Sequence, residues 1–429
     1  MNRNLLWIAL FALIASVLLL SGCSQNGDNG METPTPTQTP TPAQTPAMNL
    51  SGVAGANSQF AFELYSRYAP EDGNIHFSPY SISTALAMTY EGARGETAEE
   101  IRSVFHFPAD DGERRGGYRQ IYEGMNAPGK NYSLSTANAL WAQNGYPFLA
   151  SYFSTISEYY NGNATNLDFR GDTEGSRLTI NKWVEERTED RIKELLKPGM
   201  LDSSTRLVIT NAVYFMGKWE RPFGNATSGE FRVSPGNAVT ADMMRLSDSV
   251  CDDMRFNYAE DENAQIIELP YEGGEVSMLV LLPKEDGISQ LEQSLSAEGL
   301  EGLKGRMELA EMGRVELPRF KFETEYDLTG TLPAMGMGKA FEPGQADFSG
   351  MDGTRNLYIG LVVHKAFIQV NETGTEAAAA TAVVIRATSI PNAPPKPSFV
   401  ADHPFIFVIQ QRETGNILFM GRISDPTAE

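Results

Sequence analysis

Cysteine is nearly missing from this 429-residue chain: Cys23 and Cys251 are the two it has. A disulfide framework is thereby excluded, since such scaffolds use several paired thiols within the folded body. The sequence has no Cys-x-x-Cys pair and no His-Glu-x-x-His run, so no zinc motif is written in it, and neither a metal nor a cofactor is expected. The Gly-x-Ser-x-Gly elbow of a hydrolase nucleophile and the Gly-x-x-x-x-Gly-Lys-Ser/Thr phosphate loop are missing as well. Histidine is scarce. His76, His106 and His403 are expected at element edges or beside a strand start, and His364 within an apolar strand pattern. A serine–histidine pair assembled from distant residues is the enzymatic alternative that remains. Positive charge is also short, with 34 Lys and Arg against 55 Asp and Glu, a net charge of −21 and a pI near 4.7. That balance argues against binding to nucleic acid, an acidic membrane surface or a sulfated polysaccharide, all of which need clustered cations. The single basic cluster, Arg114, Arg115 and Arg119, reads as a solvated face.

One long apolar run is present. It follows Arg3, extends from Leu5 to Leu20 and ends in Leu20-Ser21-Gly22-Cys23. A spanning helix needs about 20 apolar residues, and this run is closer to a signal-peptide core. Its end resembles a lipobox, in which small residues precede a cysteine that becomes the lipidated N-terminus. Residues 1–23 are therefore expected to be a signal peptide with lipobox, with Cys23 as the anchor. The alternatives are an uncleaved anchor or a signal removed without lipidation. All three export the rest of the chain, to an extracellular or cell-surface site held by lipidated Cys23 or else to free secretion. Residues 24–48 carry the Thr33–Pro46 run of alternating threonine and proline, which lacks core-forming side chains and favours an extended spacer. Cys251 is then a bystander thiol. The body is expected at residues 49–427, with no second linker.

Within the body, Gly374-Thr375-Glu376-Ala377-Ala378-Ala379-Ala380-Thr381-Ala382-Val383-Val384-Ile385-Arg386-Ala387-Thr388-Ser389 is locally inconsistent. Four alanines favour helix and Val-Val-Ile favours strand. As a strand, one face carries Thr375, Ala377, Ala379, Thr381, Val383 and Ile385 without charge, while Glu376 and Arg386 lie on the other. A surface helix or a small-residue linker is the alternative. The flanks decide it. Glu372 to Thr381 has the form E-x-G-T-E-A-A-A-A-T, followed by Asp402-His403-Pro404-Phe405 and Leu418-Phe419-Met420-Gly421. These motifs resemble the serpin family, and with the leader they resemble a prokaryotic lipoprotein-type serpin. Blocks in the same order run back through the body. They include Ser78-Pro79 as a helix start, Thr97 and Glu100 at capping-box spacing, a strand over Leu134–Trp141 and a helix from Asn181 through Leu196. A buried strand over Leu207–Trp219, a hairpin around Glu272–Glu275 and an alternating strand over Val315–Phe322 follow.

The resemblance implies one large α+β domain: the serpin fold, with a large central mixed β-sheet, surrounding helices, a second β-sheet or barrel and an exposed reactive loop at about 372–397. It implies no catalysis by this chain. A serine protease, the expected partner, attacks the loop, and the freed hinge (Glu372, Gly374, Thr375, Glu376, Ala377, Ala378, Ala379, Ala380, Thr381) enters the central sheet with the trapped enzyme. Matched residue by residue, Ser78, Ser81, Asn211 and His364 form a polar cluster beneath the parting strands, and Trp219 lies at the top. Family spacing puts the cut at Thr388–Ser389, suiting elastase-like or subtilisin-like proteases. A cut after Arg386, before Ala387, is the alternative and suits trypsin-like ones. A monomer is expected, touching membrane through its lipid alone. A non-inhibitory serpin acting as carrier or chaperone is the other alternative. N-terminal sequencing of the fragment released from the loop checks the register: Ser389 is expected first, and Ala387 overturns it.

Overall fold

The computed structural model describes residues 52–146, 148–247, 251, 253–284, 287–375 and 395–428. Its local logic begins at Ser78-Pro79. The hydroxyl of Ser78 accepts the amide of Ser81 and Pro79 fills the first helical position, so the helix Pro79–Gly92 starts where the sequence says. That helix is buried along almost its whole length and lies behind a six-stranded sheet. Across this sheet the strands run Phe320–Asp327, Leu361–Asn371, Gly374–Thr375, Leu207–Lys218, Tyr132–Gln143 and Asn163–Leu167, with Leu361–Asn371 and Leu207–Lys218 also paired directly. Parallel and antiparallel ladders mix within it.

Both faces of the sheet are covered, which explains the nearly continuous apolar run of Leu207–Phe215. Leu207, Ile209, Val213 and Phe215 face the main core, whereas Val208 and Ala212 face a second cluster built with Ile180, Val184, Ile192, Leu195 and Leu196. The helix Thr173–Arg187 supplies that second cover. A seven-stranded sheet lies across the main core; its central strands Phe405–Gln411, Ile417–Ile423, Val276–Pro283 and Ala264–Pro270 are almost wholly buried. A four-stranded sheet combines Gly224–Ser234, Asn237–Leu246, Arg314–Pro318 and Ser398–Val400.

Five expectations need correction. The helix expected through Leu196 stops at Arg187, where the hydroxyl of Thr188 bonds back to the carbonyl of Val184 and accepts the amide of Ile192. Glu189, Asp190 and Glu194 take left-handed backbone, and burial of Ile192, Leu195 and Leu196 in the second cluster outweighs their helical spacing. The helix Gly95–Val104 begins before Thr97, so Thr97 and Glu100 cap no helix of their own; they accept the amides of Asp347 and Lys339 from another segment. The alternation over Val315–Phe322 is two strands in two sheets, divided at Arg319. The basic cluster is not a solvated face. Arg114 is 1% exposed, pairs with buried Glu91 at 2.9 Å and lies over the Tyr90 ring, and Arg115 shares the same carboxylate. Arg119 alone of the three faces solvent, beside Glu123.

His76 is the fifth. Far from an element edge, it is the middle residue of the buried strand Ile75–Phe77. Its ring stacks on Phe419 at 5.3 Å and lies 5.7 Å from Phe407, and among the described residues neither ring nitrogen makes a well-formed hydrogen bond, with the backbone of Phe367 near the ring. Burial of a polar group without a partner is costly. His76→Phe is expected to raise the melting temperature, by removing a penalty of roughly 1–3 kcal/mol; calorimetry checks it, and a lower melting temperature contradicts this account.

Candidate functional site

The central sheet is closed at one end and open at the other. Leu361–Asn371 and Leu207–Lys218 pair in parallel from Leu361↔Val208 to Phe367↔Tyr214. Beyond that point they part. The chain turns at Glu372-Thr373 and sends Gly374–Thr375 back into the opening, where it pairs with both sides: Thr375 with Val370 and Gly217, Gly374 with Asn371 and Lys218. The place between the two long strands is therefore one strand wide, and its first two residues are filled. Gly374 is required there. Its φ is +155°, and a Cβ would stand 2.0 Å from the carbonyl oxygen of Gly217. Over the opening lies a cavity of about 770 Å3 bordered by Tyr132, Met216, Gly217 and Gln369.

The turn is held from three directions. The amide of Trp219 donates to Thr373 O at 2.9 Å and its indole Nε1 donates to Asn371 O at 2.9 Å. The amide of Phe223 donates to Glu372 O at 2.8 Å. The carboxylate of Glu372 accepts from Ala226 N at 2.8 Å and from Arg319 Nε at 2.9 Å. Burial pushes the Glu372 pKa up, but Arg319 and the Ala226 amide outweigh it and hold the group below the ordinary carboxylate range. Tyr271, from the hairpin of the seven-stranded sheet, places its hydroxyl 2.7 Å from Thr375 Oγ1.

Below the parting point a polar row crosses the sheet in register: Asn138↔Asn211, Asn211↔His364 and His364↔Tyr326. Asn211 Nδ2 donates to Ser81 Oγ at 2.6 Å and to Asn138 Oδ1 at 2.5 Å. Ser81 Oγ donates to Asn138 Oδ1 at 2.9 Å, and Ser78 Oγ donates to Leu418 O at 2.6 Å. The amide of Ser78 donates to His364 Nε2 at 3.0 Å, which leaves Nδ1–H to donate to Asn211 Oδ1. The imidazole is fully buried. Burial first, and then the neighbouring His76, lowers its pKa to about 3, so it is neutral.

Ser78, Ser81, Asn211 and His364 thus come together from a helix start and two strands, and Trp219, Glu372, Gly374 and Thr375 gather at the open end. Glu376, Ala377, Ala378, Ala379, Ala380, Thr381, Arg386, Ala387, Thr388, Ser389 and Cys23 lie outside the described residues. Asn138, Tyr271 and Arg319 are additions that the sequence reading missed. Asn138 had a signal: it shares the inward face of Leu134 and Leu140, where an amide is out of place. Arg319 was hidden inside an apparent single strand, and Tyr271 had no signal. Among the described residues no histidine ring bonds a serine hydroxyl, and no three His, Cys, Asp or Glu side chains gather as a metal set.

A family model described as serpin (serine protease inhibitor) matches residues 55–426. The chain belongs to the serpin family. An uncharacterized serpin-like protein of Methanosarcina acetivorans is 41% identical to this serpin, covering 98% of each chain. Leukocyte elastase inhibitor of Bos taurus is 40% identical over 87% of this chain and 99% of its own. Among solved structures, uncleaved ovalbumin is 32% identical with a TM-score of 0.78, covering 88% of this chain and 100% of its own. Human thyroxine-binding globulin is 28% identical with a TM-score of 0.77, covering 88% and 99%. The fold is the serpin fold, and serpins are inhibitors rather than catalysts, although a neighbour named for thyroxine binding occurs too.

The neutral histidines set a pH dependence. His364 and His76 both fall to about 3 in the fold from an ordinary 6.5, burial being the main cause. The unfolded chain therefore binds more protons between those values, so their contribution is complete above pH 6.5 and is lost as pH falls toward 3. The expected loss approaches roughly 1.4 kcal/mol per pH unit for each histidine. Melting temperature is expected to fall between pH 7 and 5, above the carboxylate range, and less steeply in His364→Gln; a flat profile refutes the neutral pair.

Proposed function

We propose that this serpin is an irreversible suicide-substrate inhibitor of serine endopeptidases. The loop at about 372–397 is bait. Once a protease has opened its scissile bond and become acylated, the hinge adds to the central sheet as a new strand and carries the enzyme with it. The observation that supports this best is the one-strand opening between Leu207–Lys218 and Leu361–Asn371, already entered by Gly374–Thr375. The hinge sequence that follows fits the same path, because Ala377 and Ala379 continue the small, uncharged face begun by Thr375. The polar row beneath suits strands that separate, since its amide, hydroxyl and imidazole groups can each find new partners as the strands move.

The reactive bond is Thr388–Ser389 in this proposal, favouring elastase-like or subtilisin-like targets. The leukocyte elastase inhibitor relative supports that class. Arg386–Ala387 with a trypsin-like target ranks second. We further propose that residues 1–23 are a lipoprotein leader, residues 24–48 a spacer and residues 49–427 the serpin body, acting as a monomer outside the cell on a lipidated Cys23. The carrier or chaperone reading draws on the thyroxine-binding globulin neighbour. The two readings separate on a denaturing gel after incubation with an elastase-like, a subtilisin-like and a trypsin-like protease. A detergent-stable complex with at least one of them, with cleaved serpin melting well above the intact form, is expected. Cleavage without any trapped enzyme, and without a rise in melting temperature, refutes inhibition.

A further inference from the structure

Among the described residues Gly374 and Thr375 lie between the two long strands, and Thr375 is 1% exposed with its hydroxyl satisfied. Its partner comes from neither strand. Tyr271 follows Pro270 at the end of the strand Ala264–Pro270, in the seven-stranded sheet, and its amide donates to Val276 O across that hairpin at 3.0 Å. The ring is fixed on both sides: it stacks on Trp219 at 4.5 Å and 15° and meets Phe215 edge-on at 5.1 Å. Burial pushes the phenol well up, so the hydroxyl keeps its proton at any physiological pH. The hinge is thus tied to a hairpin of the other sheet, which itself bridges to Trp219 at the end of Leu207–Lys218.

We propose that Tyr271 is a positioning residue that fixes where and in which register the missing strand begins. The inference rests on the inhibitor reading for its consequence and on geometry for its existence. Thr375 occupies the first place of the new strand before any cleavage. Tyr271 is joined to the Leu207–Lys218 side of the opening, by Phe215 against its ring and by the amide of Glu272 donating to Lys218 O at 2.8 Å, and it has no part in the pairing of that strand with Leu361–Asn371, so the clasp can stay with Leu207–Lys218 while the two strands separate. Ala377 and Ala379 then enter with the same faces inward. Without the clasp, Thr375 Oγ1 loses its buried partner, and the docked hinge is disfavoured by about tenfold. Hydrolysis of the acyl-enzyme competes with insertion, so a hinge that starts undocked loses more molecules to simple cleavage.

The test uses the full chain carrying Tyr271→Phe, which retains both ring contacts, Thr375→Val, which keeps the shape, and Thr375→Ser, which keeps the hydroxyl. Tyr271→Phe and Thr375→Val are each expected to raise the stoichiometry of inhibition several-fold, with the rate of loop cleavage unchanged. The double variant should match either single one, and Thr375→Ser should behave as the parent. A purely structural role would instead lower the intact melting temperature and slow cleavage and trapping together. Stoichiometry at the parental value in both single variants, or additive effects in the double, overturns the clasp. Should the parent trap no protease, inhibition fails by itself. The clasp is then read from the rate at which cleaved protein gains thermal stability, expected several-fold slower in Tyr271→Phe and, if unchanged, decisive against it.

Discussion

Everything at the site depends on one mismatch in strand pairing. Leu361–Asn371 and Leu207–Lys218 hydrogen-bond to each other over only part of their length. Past Phe367 and Tyr214 each strand has ladder groups turned toward the other across a space too wide to bridge. Such groups are satisfied by water or by another strand, and here Gly374–Thr375 satisfies the first of them. The sheet thus takes Gly374–Thr375 between its two long strands, and the physical drive is the same as for any added strand: paired backbone and buried small side chains.

The strands are held together just below the opening by polar contacts. The polar row Asn138, Asn211, His364 and Tyr326 crosses the sheet immediately below the parting point, and Ser78 and Ser81 extend it to the helix behind. An apolar seam there would bind by area and resist separation. Directional bonds between neutral groups behave differently, because each can be exchanged for a bond to an entering strand at little net cost. At the upper end the turn at Glu372-Thr373 is pinned by Trp219, Arg319 and the amide of Ala226. The capping of Pro79–Gly92 by Ser78 places one residue in both a helix start and this network, so the local and the long-range structure are coupled through one residue, its hydroxyl serving the helix and Leu418 and its amide serving His364.

Much was legible from residues alone where local chemistry decides. Ser78-Pro79 starts a helix because the hydroxyl and the ring satisfy a helix end without tertiary help. The apolar run at Leu207 reads as a two-sided strand because both faces are covered. Where packing decides, the reading failed. Thr97 and Glu100 have the spacing of a cap but serve the amides of Asp347 and Lys339. Arg114 reads as solvent-facing in a charged helix, whereas the carboxylate of Glu91 on another helix draws it inside. Ile192, Leu195 and Leu196 keep helical spacing with no helix.

The sequence by itself determined the membership of this chain in its family, the small uncharged hinge and the order of the elements, because these are properties of adjacent residues and their periodicity. It also marked four of the polar residues that meet under the sheet. Only the tertiary structure decided that the two long strands separate after Phe367 and Tyr214, that Asn138 completes the row and that Tyr271 reaches Thr375 from the other sheet. Those facts join residues 73 and 104 positions apart in the chain, as with Asn138 to Asn211 and Tyr271 to Thr375. No local propensity encodes such meetings; they follow from how the two sheets pack across a shared core.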